Sequence, residues 1–111
     1  MTTKDLIEKL GLETLSKFEH RQVSGVFISD MLSDVMAGAH AGDLWLTIQT
    51  HKNIVPAANL VDVSAVVITG GKEVPQETVA LASKYNIAIL RSKLSTFDFV
   101  GKLHGLGLGS I

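Results

Sequence analysis

The chain has 111 residues, the size of one compact domain, and we expect a single domain spanning residues 1–111. Ten Lys and Arg residues against eleven Asp and Glu residues give a formal charge of -1. This balance argues against nucleic acid or an anionic membrane surface as a partner. Cysteine is absent, which excludes disulfides, a cysteine nucleophile and a cysteine-held zinc or iron–sulfur centre contributed by this chain.

The apolar content is high for a chain of this size. Hydrophobic residues make up 46% of it, and ten glycines raise the apolar share above that of an ordinary globular domain. Such a domain either buries its apolar surface unusually well or covers part of it with a partner, so we expect a homodimer. The first ten residues, MTTKDLIEKL, lack the apolar core of a signal peptide, and we expect a cytoplasmic protein.

The first part of the chain alternates helical and strand-like patterns. Thr3 is placed to cap a first helix, and Gly11 follows that helix where a left-handed residue is favoured. Asp30 is placed to cap a second helix. We expect the strands of residues 13–29 to lie antiparallel or at a sheet edge. The predicted elements are helices at 4–10 and 31–37 and strands at 13–16 and 23–29.

From Asp43 onward, three strand-like runs are each followed by a helical pattern. Two of the runs are continuously apolar, as expected for parallel strands that helices cover on both faces. The sequence therefore predicts a three-layer α/β/α domain with a mostly parallel sheet and right-handed crossovers. The predicted strands lie at 44–49, 65–69 and 87–90, and the helices at 54–61, 75–85 and 96–106, the last capped by Ser95.

Ligands of open α/β sheets bind at the carboxyl ends of the strands, which directs attention to three turns. The first turn, TIQTHKN at residues 47–53, gathers hydroxyl, amide, imidazole and ammonium groups within a mostly apolar chain. The alternative is that Thr50 or Asn53 caps the next helix while Gln49 ties down a loop. We predict that the ligand contacts in this turn are Thr47, Gln49, Thr50, His51 and Asn53.

The other two turns contain glycines and cations. The second turn has two adjacent glycines, which allow a close approach of the backbone to a ligand, and free N–H groups near a helix start favour anions. The third turn places two cations and two hydroxyls at a strand end, where they would neutralise a phosphate. A plain turn and exposed loop charges are the alternatives. The predicted ligand contacts are Thr69, Gly70, Gly71, Lys72, Arg91 and Ser92.

No pattern points specifically to catalysis or to a metal. The acid–base candidates are Asp30, Asp34 and His51, and an enzyme would require these side chains to converge. The four histidines lack metal-ligand spacing. We therefore expect no catalytic residues, no metal and no cofactor.

Four stretches of the sequence resemble the DRTGG domain, a family named after some of its characteristic residues. The longest stretch reads GDLWLTIQTHKNIV at residues 42–55, and the others are VSG at 23–25, SDMLSDVM at 29–36 and VITGG at 67–71. The signature itself is altered, because His20 stands before Arg21 where Asp is typical and SGV at 24–26 replaces Thr-Gly-Gly. Together the stretches extend the resemblance over almost the whole chain.

The resemblance implies a regulatory or accessory domain with a fold similar to the N-terminal domain of HPr kinase/phosphorylase. Similar domains lie between CBS domains in some pyrophosphatases, and others are part of some phosphotransacetylases. In these proteins the DRTGG domain is not the catalytic unit. Our leading hypothesis is a non-catalytic homodimeric module that binds a small anionic metabolite such as an adenine nucleotide. The alternative is a protein-interaction accessory subunit of a partner enzyme or a hydrogenase-related redox system, with no small-molecule ligand.

Overall fold

The computed structural model describes residues 1–108, so the last three residues of the predicted domain lie outside the described part. These residues form the predicted three-layer α/β/α arrangement. No helix among them is long and apolar enough to cross a membrane. The elements in chain order are α1 (Thr3–Leu10), β1 (Glu13–Thr14), β2 (Gly25–Ile28), α2 (Leu32–Gly38), β3 (Asp43–Thr47), α3 (Ile54–Val61), β4 (Ala65–Ile68), α4 (Gln76–Lys84), β5 (Ile89–Arg91) and α5 (Thr96–Gly105).

The sheet has the strand order β1-β5-β4-β3-β2. Strands β2 to β5 are parallel, with Leu46 opposite Val67 and Val67 opposite Leu90. Strand β1 is antiparallel to β5 and forms one edge, while β2 forms the other edge. The mostly parallel sheet is therefore confirmed, and so is the prediction that the strands of residues 13–29 lie antiparallel or at an edge.

The connectivity determines which helices cover which face. Strands β2 to β5 advance across the sheet in one direction, so right-handed crossovers place α2, α3 and α4 on the same face. Helices α1 and α5 cover the opposite face. Side chains alternate accordingly, with Trp45 and Val66 in the core beneath α2 to α4, and Leu46 and Val67 in the core beneath α1 and α5.

Trp45, the only tryptophan, is part of the core. Its side chain is fully buried, and its indole N–H donates to the Ser29 carbonyl at 2.8 Å. This hydrogen bond satisfies the one polar atom of the ring and fixes the chain where it leaves β2.

The first helix begins one residue earlier than predicted. Thr2 rather than Thr3 is its N-cap, because the Thr2 hydroxyl accepts from the Asp5 N–H and the Asp5 carboxylate accepts from the Thr2 N–H. The Thr3 hydroxyl is buried and pairs with His20 at 2.9 Å. Gly11 ends the helix at φ 62°, in the left-handed conformation predicted for it.

Strands β1 and β5 differ from their predicted bounds because of Ser16. Its hydroxyl donates to the Ile87 carbonyl at 2.7 Å and accepts from the Ile89 N–H at 2.8 Å. A side chain thus replaces the backbone partner that a longer β1 would have supplied. Consequently β1 ends at Thr14 and β5 begins at Ile89.

Candidate functional site

The loops after β3, β4 and β5 emerge side by side, because these strands are parallel neighbours. Hydrogen bonds continue just beyond the strands: the Thr69 N–H donates to the Thr47 carbonyl, and the Ser92 N–H donates to the Ile68 carbonyl. The three predicted turns therefore lie together. We call this surface, formed by residues 48–53, 69–75 and 92–97 together with residues 29–31 after β2, the carboxyl edge.

The loops after β4 and β5 diverge within this edge, since α4 covers one face of the sheet and α5 the other. In open α/β sheets such a divergence leaves a crevice that binds ligands. Here hydrogen bonds close the crevice: the Gly70 N–H donates to the Leu94 carbonyl at 2.7 Å, and the Gly71 N–H donates to the Ser92 carbonyl at 2.9 Å. Both glycine amides are committed, so the prediction that they are free to bind an anion is wrong.

The hydroxyls of the β4 and β5 turns also serve the loops themselves. Thr69 is fully buried, and its hydroxyl lies 2.6 Å from that of Thr96 at the start of α5. The buried Ser92 hydroxyl accepts from the Leu94 N–H at 3.1 Å. The Thr69 hydroxyl thus joins the second turn to the start of α5, the Ser92 hydroxyl stabilises the third turn, and neither side chain faces solvent.

Arg91 is the predicted cation whose charge is already paired. Its Nη2 lies 2.7 Å from Glu13 Oε2, and its Nη1 donates to the Lys72 carbonyl at 3.2 Å. The guanidinium therefore joins the edge strand β1 to the loop after β4. This arrangement explains why the cation closest to the strand end does not face outward as a phosphate ligand.

Lys52 of the carboxyl edge is exposed and pairs with Glu77 at 2.8 Å. The other two lysines of this edge are Lys72 and Lys93. Both side chains are exposed, and neither forms a salt bridge among residues 1–108. The hydrogen bond between Gly71 and Ser92, which directly precede them, brings their backbones together. Two exposed lysines therefore follow hydrogen-bonded positions of neighbouring loops at one end of the sheet.

The turn after β3 is partly internal and partly exposed. The buried Thr47 hydroxyl donates to Asp30 Oδ1 at 2.8 Å and accepts from the Gln49 N–H at 3.0 Å. The Thr50 carbonyl accepts from the Thr78 hydroxyl at 2.8 Å. The Gln49 side chain remains exposed.

His51 and Asn53 complete this turn. The His51 Nδ1 accepts from the Asn53 N–H at 3.1 Å, and both side chains are exposed. Asn53 makes no capping hydrogen bond to α3, which begins at Ile54. The alternative that Thr50 or Asn53 caps this helix is therefore wrong, because α3 has no side-chain capping hydrogen bond, and the side chains of His51 and Asn53 face solvent.

Asp30 belongs to the carboxyl edge, although capping was its predicted role. Its Oδ1 accepts from the Thr47 hydroxyl and, at 2.9 Å, from the Ile48 N–H. Helix α2 begins after Met31 without a side-chain cap, and the Met31 N–H donates to the Ser29 hydroxyl instead. The capping prediction is wrong because the carboxylate reaches the end of the neighbouring strand. Asp30 follows β2, so the rule used for the other three strands would have found it.

Three large apolar side chains at this edge are exposed and were not among the predicted site residues. Met31, Ile48 and Phe97 have exposed fractions of 60%, 45% and 85%. Phe97 lies in the first turn of α5, two residues before the buried Phe99. The Ser95 hydroxyl accepts from the Asp98 N–H, so Ser95 caps α5 as predicted. This cap places Phe97 and Phe99 two residues apart in one helix, where they point to different sides, and it was the signal that one ring would face outward.

The acid–base candidates have separate hydrogen-bond partners. Asp30 pairs with Thr47, Asp34 lies 3.3 Å from the Ser29 hydroxyl, and His51 accepts from the Asn53 backbone. No hydrogen bond joins any two of the three in residues 1–108. The same part of the chain holds no cluster of three or more His, Asp and Glu side chains suited to a metal ion.

A surface depression lies elsewhere, between α3 and α4. It encloses about 500 Å³ and is mainly apolar. None of the predicted site residues lines it. Its lining residues are Val55, Pro56, Asn59, Leu60, Leu81 and Tyr85.

Comparisons with known proteins agree with this fold. The family model of the DRTGG domain matches residues 5–106. A solved structure of the CBS and DRTGG domains of the regulatory region of Clostridium perfringens pyrophosphatase, complexed with its activator diadenosine tetraphosphate, superposes with a TM-score of 0.69 at 19% identity. The match covers 89% of this chain and 44% of that one, so this chain spans less than half of its structural relative. The search of curated proteins found no match.

Proposed function

This chain belongs to the DRTGG domain family, and on that basis we propose that it is a non-catalytic, homodimeric regulatory module that binds an anionic, nucleotide-like ligand. The observation that carries the proposal is the pair of exposed lysines, Lys72 and Lys93, at the point where the β4 and β5 loops diverge. The structural relative supports the ligand class, since its regulatory region was solved with a dinucleotide activator.

The chemistry of the edge favours a nucleotide over a simple anion. Lys72 and Lys93 supply positive charge for a phosphate chain, and the exposed ring of Phe97 follows Lys93 in the same loop and helix start. Aromatic side chains stack on nucleobases because both partners offer π-faces. Exposed Gln49 and His51 add hydrogen-bonding groups that would contact the sugar or base.

The closed loops define where the ligand would lie. Because the Gly70 and Gly71 amides are bonded to the next loop, the ligand contacts the outer side chains and does not insert between β4 and β5. The same bonds hold the two lysine-bearing loops at a fixed separation, which lowers the entropic cost of binding.

A thermal-shift and calorimetric titration with ATP, ADP, AMP and diadenosine tetraphosphate tests the proposal. A ligand at 100 times its Kd stabilises the folded protein by about 2.7 kcal/mol, which raises Tm by several degrees in a domain of this size. We expect the double variant Lys72→Gln/Lys93→Gln to weaken binding strongly. Lys17→Gln, an exposed lysine outside the edge, serves as the matched control. Absence of binding at millimolar ligand, or unchanged affinity in the double variant, would refute the proposal.

The exposed apolar side chains favour a second candidate, an accessory module that docks a partner enzyme and takes no small ligand. Met31, Ile48 and Phe97 give the carboxyl edge an apolar character that a protein surface would cover. Chemical cross-linking in native lysate, followed by mass spectrometry, distinguishes this candidate. It predicts a stoichiometric partner that the wild type retains and Phe97→Ser loses, together with an empty ligand screen. Recovery of self-association alone counts against it.

A further inference from the structure

We infer that two copies of this chain associate through the outward face of α3 and α4, with α4 packed antiparallel against α4 of the partner subunit. The inference rests on the homodimer of the proposed function and assigns a surface to it. We call this surface the α3–α4 face. It comprises the apolar groove between the two helices and the outward stripe of α4.

The groove exposes apolar surface that a monomer leaves in water. Leu60 and Tyr85 border it with exposed fractions of 73% and 49%. Pro56 also lines the groove and is exposed, whereas Val55 forms its buried floor. The same surface thus carries a protruding side chain, Leu60, and an apolar depression that could receive such a side chain from a second copy. A twofold axis places each Leu60 near the other copy's depression, as an isologous interface requires.

The outward stripe of α4 has a charge order that complements itself. Glu77, Ala80, Leu81 and Lys84 recur at the i, i+3, i+4 and i+7 spacing of one helix side, and all four line a second depression that shares Leu81 with the groove. The stripe begins acidic, is small and apolar in its middle, and ends basic. Its midpoint lies between Ala80 and Leu81.

An antiparallel arrangement about this midpoint pairs opposite charges twice. Glu77 of each protomer meets Lys84 of the partner subunit, whereas parallel packing would place like charges together. Lys84 forms no salt bridge among residues 1–108, and its ammonium lies 5.6 Å from the centre of the Tyr85 ring. The small Ala80 side chain lets the two helices approach closely.

The Glu77 carboxylate is charged and accessible, as pairing with Lys84 of the partner subunit requires. Lys52 lies 2.8 Å from Glu77 Oε1, and its hydrogen bond and charge lower the pKa of that carboxyl, which is therefore ionised at neutral pH. Both side chains are exposed, so a second cation has access to the carboxylate. The net charge of -1 opposes self-association only weakly.

A charge-reversal cycle on the full chain tests the surface and its orientation together. The readout is the dimer dissociation constant from sedimentation equilibrium. We expect Glu77→Lys alone and Lys84→Glu alone each to weaken the dimer about tenfold, because each change creates two repulsive pairs across the twofold axis. The double variant Glu77→Lys/Lys84→Glu should restore the dimer. Glu8→Lys, an exposed position on α1, is the matched control and should leave the dimer unchanged.

Two results would overturn the inference, and they are distinguishable from each other. A wild-type dimer that neither single reversal weakens, or that the double variant fails to restore, keeps the homodimer but rejects this surface. If the wild-type chain is monomeric at a protein concentration 100 times that of the ligand assay, the homodimer itself is rejected. Nucleotide titration of Lys84→Glu and Glu8→Lys reports independently on the carboxyl edge, whereas Glu77→Lys also removes the salt-bridge partner of Lys52 in that edge.

Discussion

Arg91 and Glu13 form a bidentate ion pair that fixes the edge strand β1 to β5. Nη2 lies 2.7 Å from Oε2, and Nε lies 3.0 Å from Oε1. The remaining nitrogen, Nη1, donates to the Lys72 carbonyl. One side chain thereby holds both an edge strand and the loop that carries a proposed ligand contact.

This pairing predicts that Arg91→Met destabilises the protein by about 1 kcal/mol, since a partly exposed charged pair and a loop hydrogen bond are both lost. Urea denaturation followed by circular dichroism measures the change. Glu13→Gln retains a neutral acceptor for the guanidinium and should cost less. Equal stability of Arg91→Met and wild type would contradict the structural role.

The bridging role of Asp30 leads to a prediction that separates it from helix capping. Because its carboxylate bonds the Thr47 hydroxyl and the Ile48 N–H, Asp30→Ser should destabilise the protein by about 1–2 kcal/mol, as the shorter side chain does not reach β3. Ser is as good an N-cap as Asp, so a capping role would leave stability nearly unchanged. Chemical denaturation of Asp30→Ser and Asp30→Asn measures the free energy of unfolding of each variant and so distinguishes the bridge to β3 from a capping role.

Alanine substitution should lower the stability of the protein at the glycines of the turn after β4 and raise it at a glycine of α5. Gly70 and Gly71 have φ of 79° and 64°, so Gly70→Ala and Gly71→Ala each cost about 1 kcal/mol through backbone strain. Gly101 lies inside a helix with nothing within 4 Å of an added Cβ, and Gly101→Ala should stabilise by about 0.5–1 kcal/mol. Thermal unfolding of the three variants provides the comparison.

The capping box of α1 makes stability depend on pH in the acid range. Hydrogen bonds from Thr2 lower the pKa of Asp5 below its ordinary value of 3.8. A carboxyl whose pKa is depressed by folding stabilises the native state above its unfolded pKa, and this contribution disappears as pH falls through the folded value. We therefore expect Asp5→Asn and Thr2→Ala to flatten the loss of Tm below about pH 4. Glu8→Gln on the same helix is the control, and an unchanged slope in Asp5→Asn would contradict the prediction.

Local pattern was sufficient for the fold. The apolar runs at 65–68 and 87–90, each followed by a helical period, predicted a parallel sheet covered on both faces, because helices on both sides of a sheet bury such strands. The same local pattern placed three polar turns at the carboxyl ends of strands, and the parallel pairing of β3, β4 and β5 brings these turns together. These features depend on periodicity and neighbouring residues, which a sequence displays directly.

The role of each polar side chain depended on residues far away in the chain. Arg91 carries a cation at a strand end in the sequence, yet Glu13, 78 positions earlier, binds it. Gly70 has an N–H beside a helix start, yet the Leu94 carbonyl takes it. Local spacing contains no information on such pairings, because they arise only when the sheet brings separate segments into contact. The sequence by itself determined the layers, the strand direction and the edge where the loops meet. Tertiary contacts decided which donors and charges remain available at that edge. The physical reason is that a buried or hydrogen-bonded polar group has already exchanged its water for a protein partner.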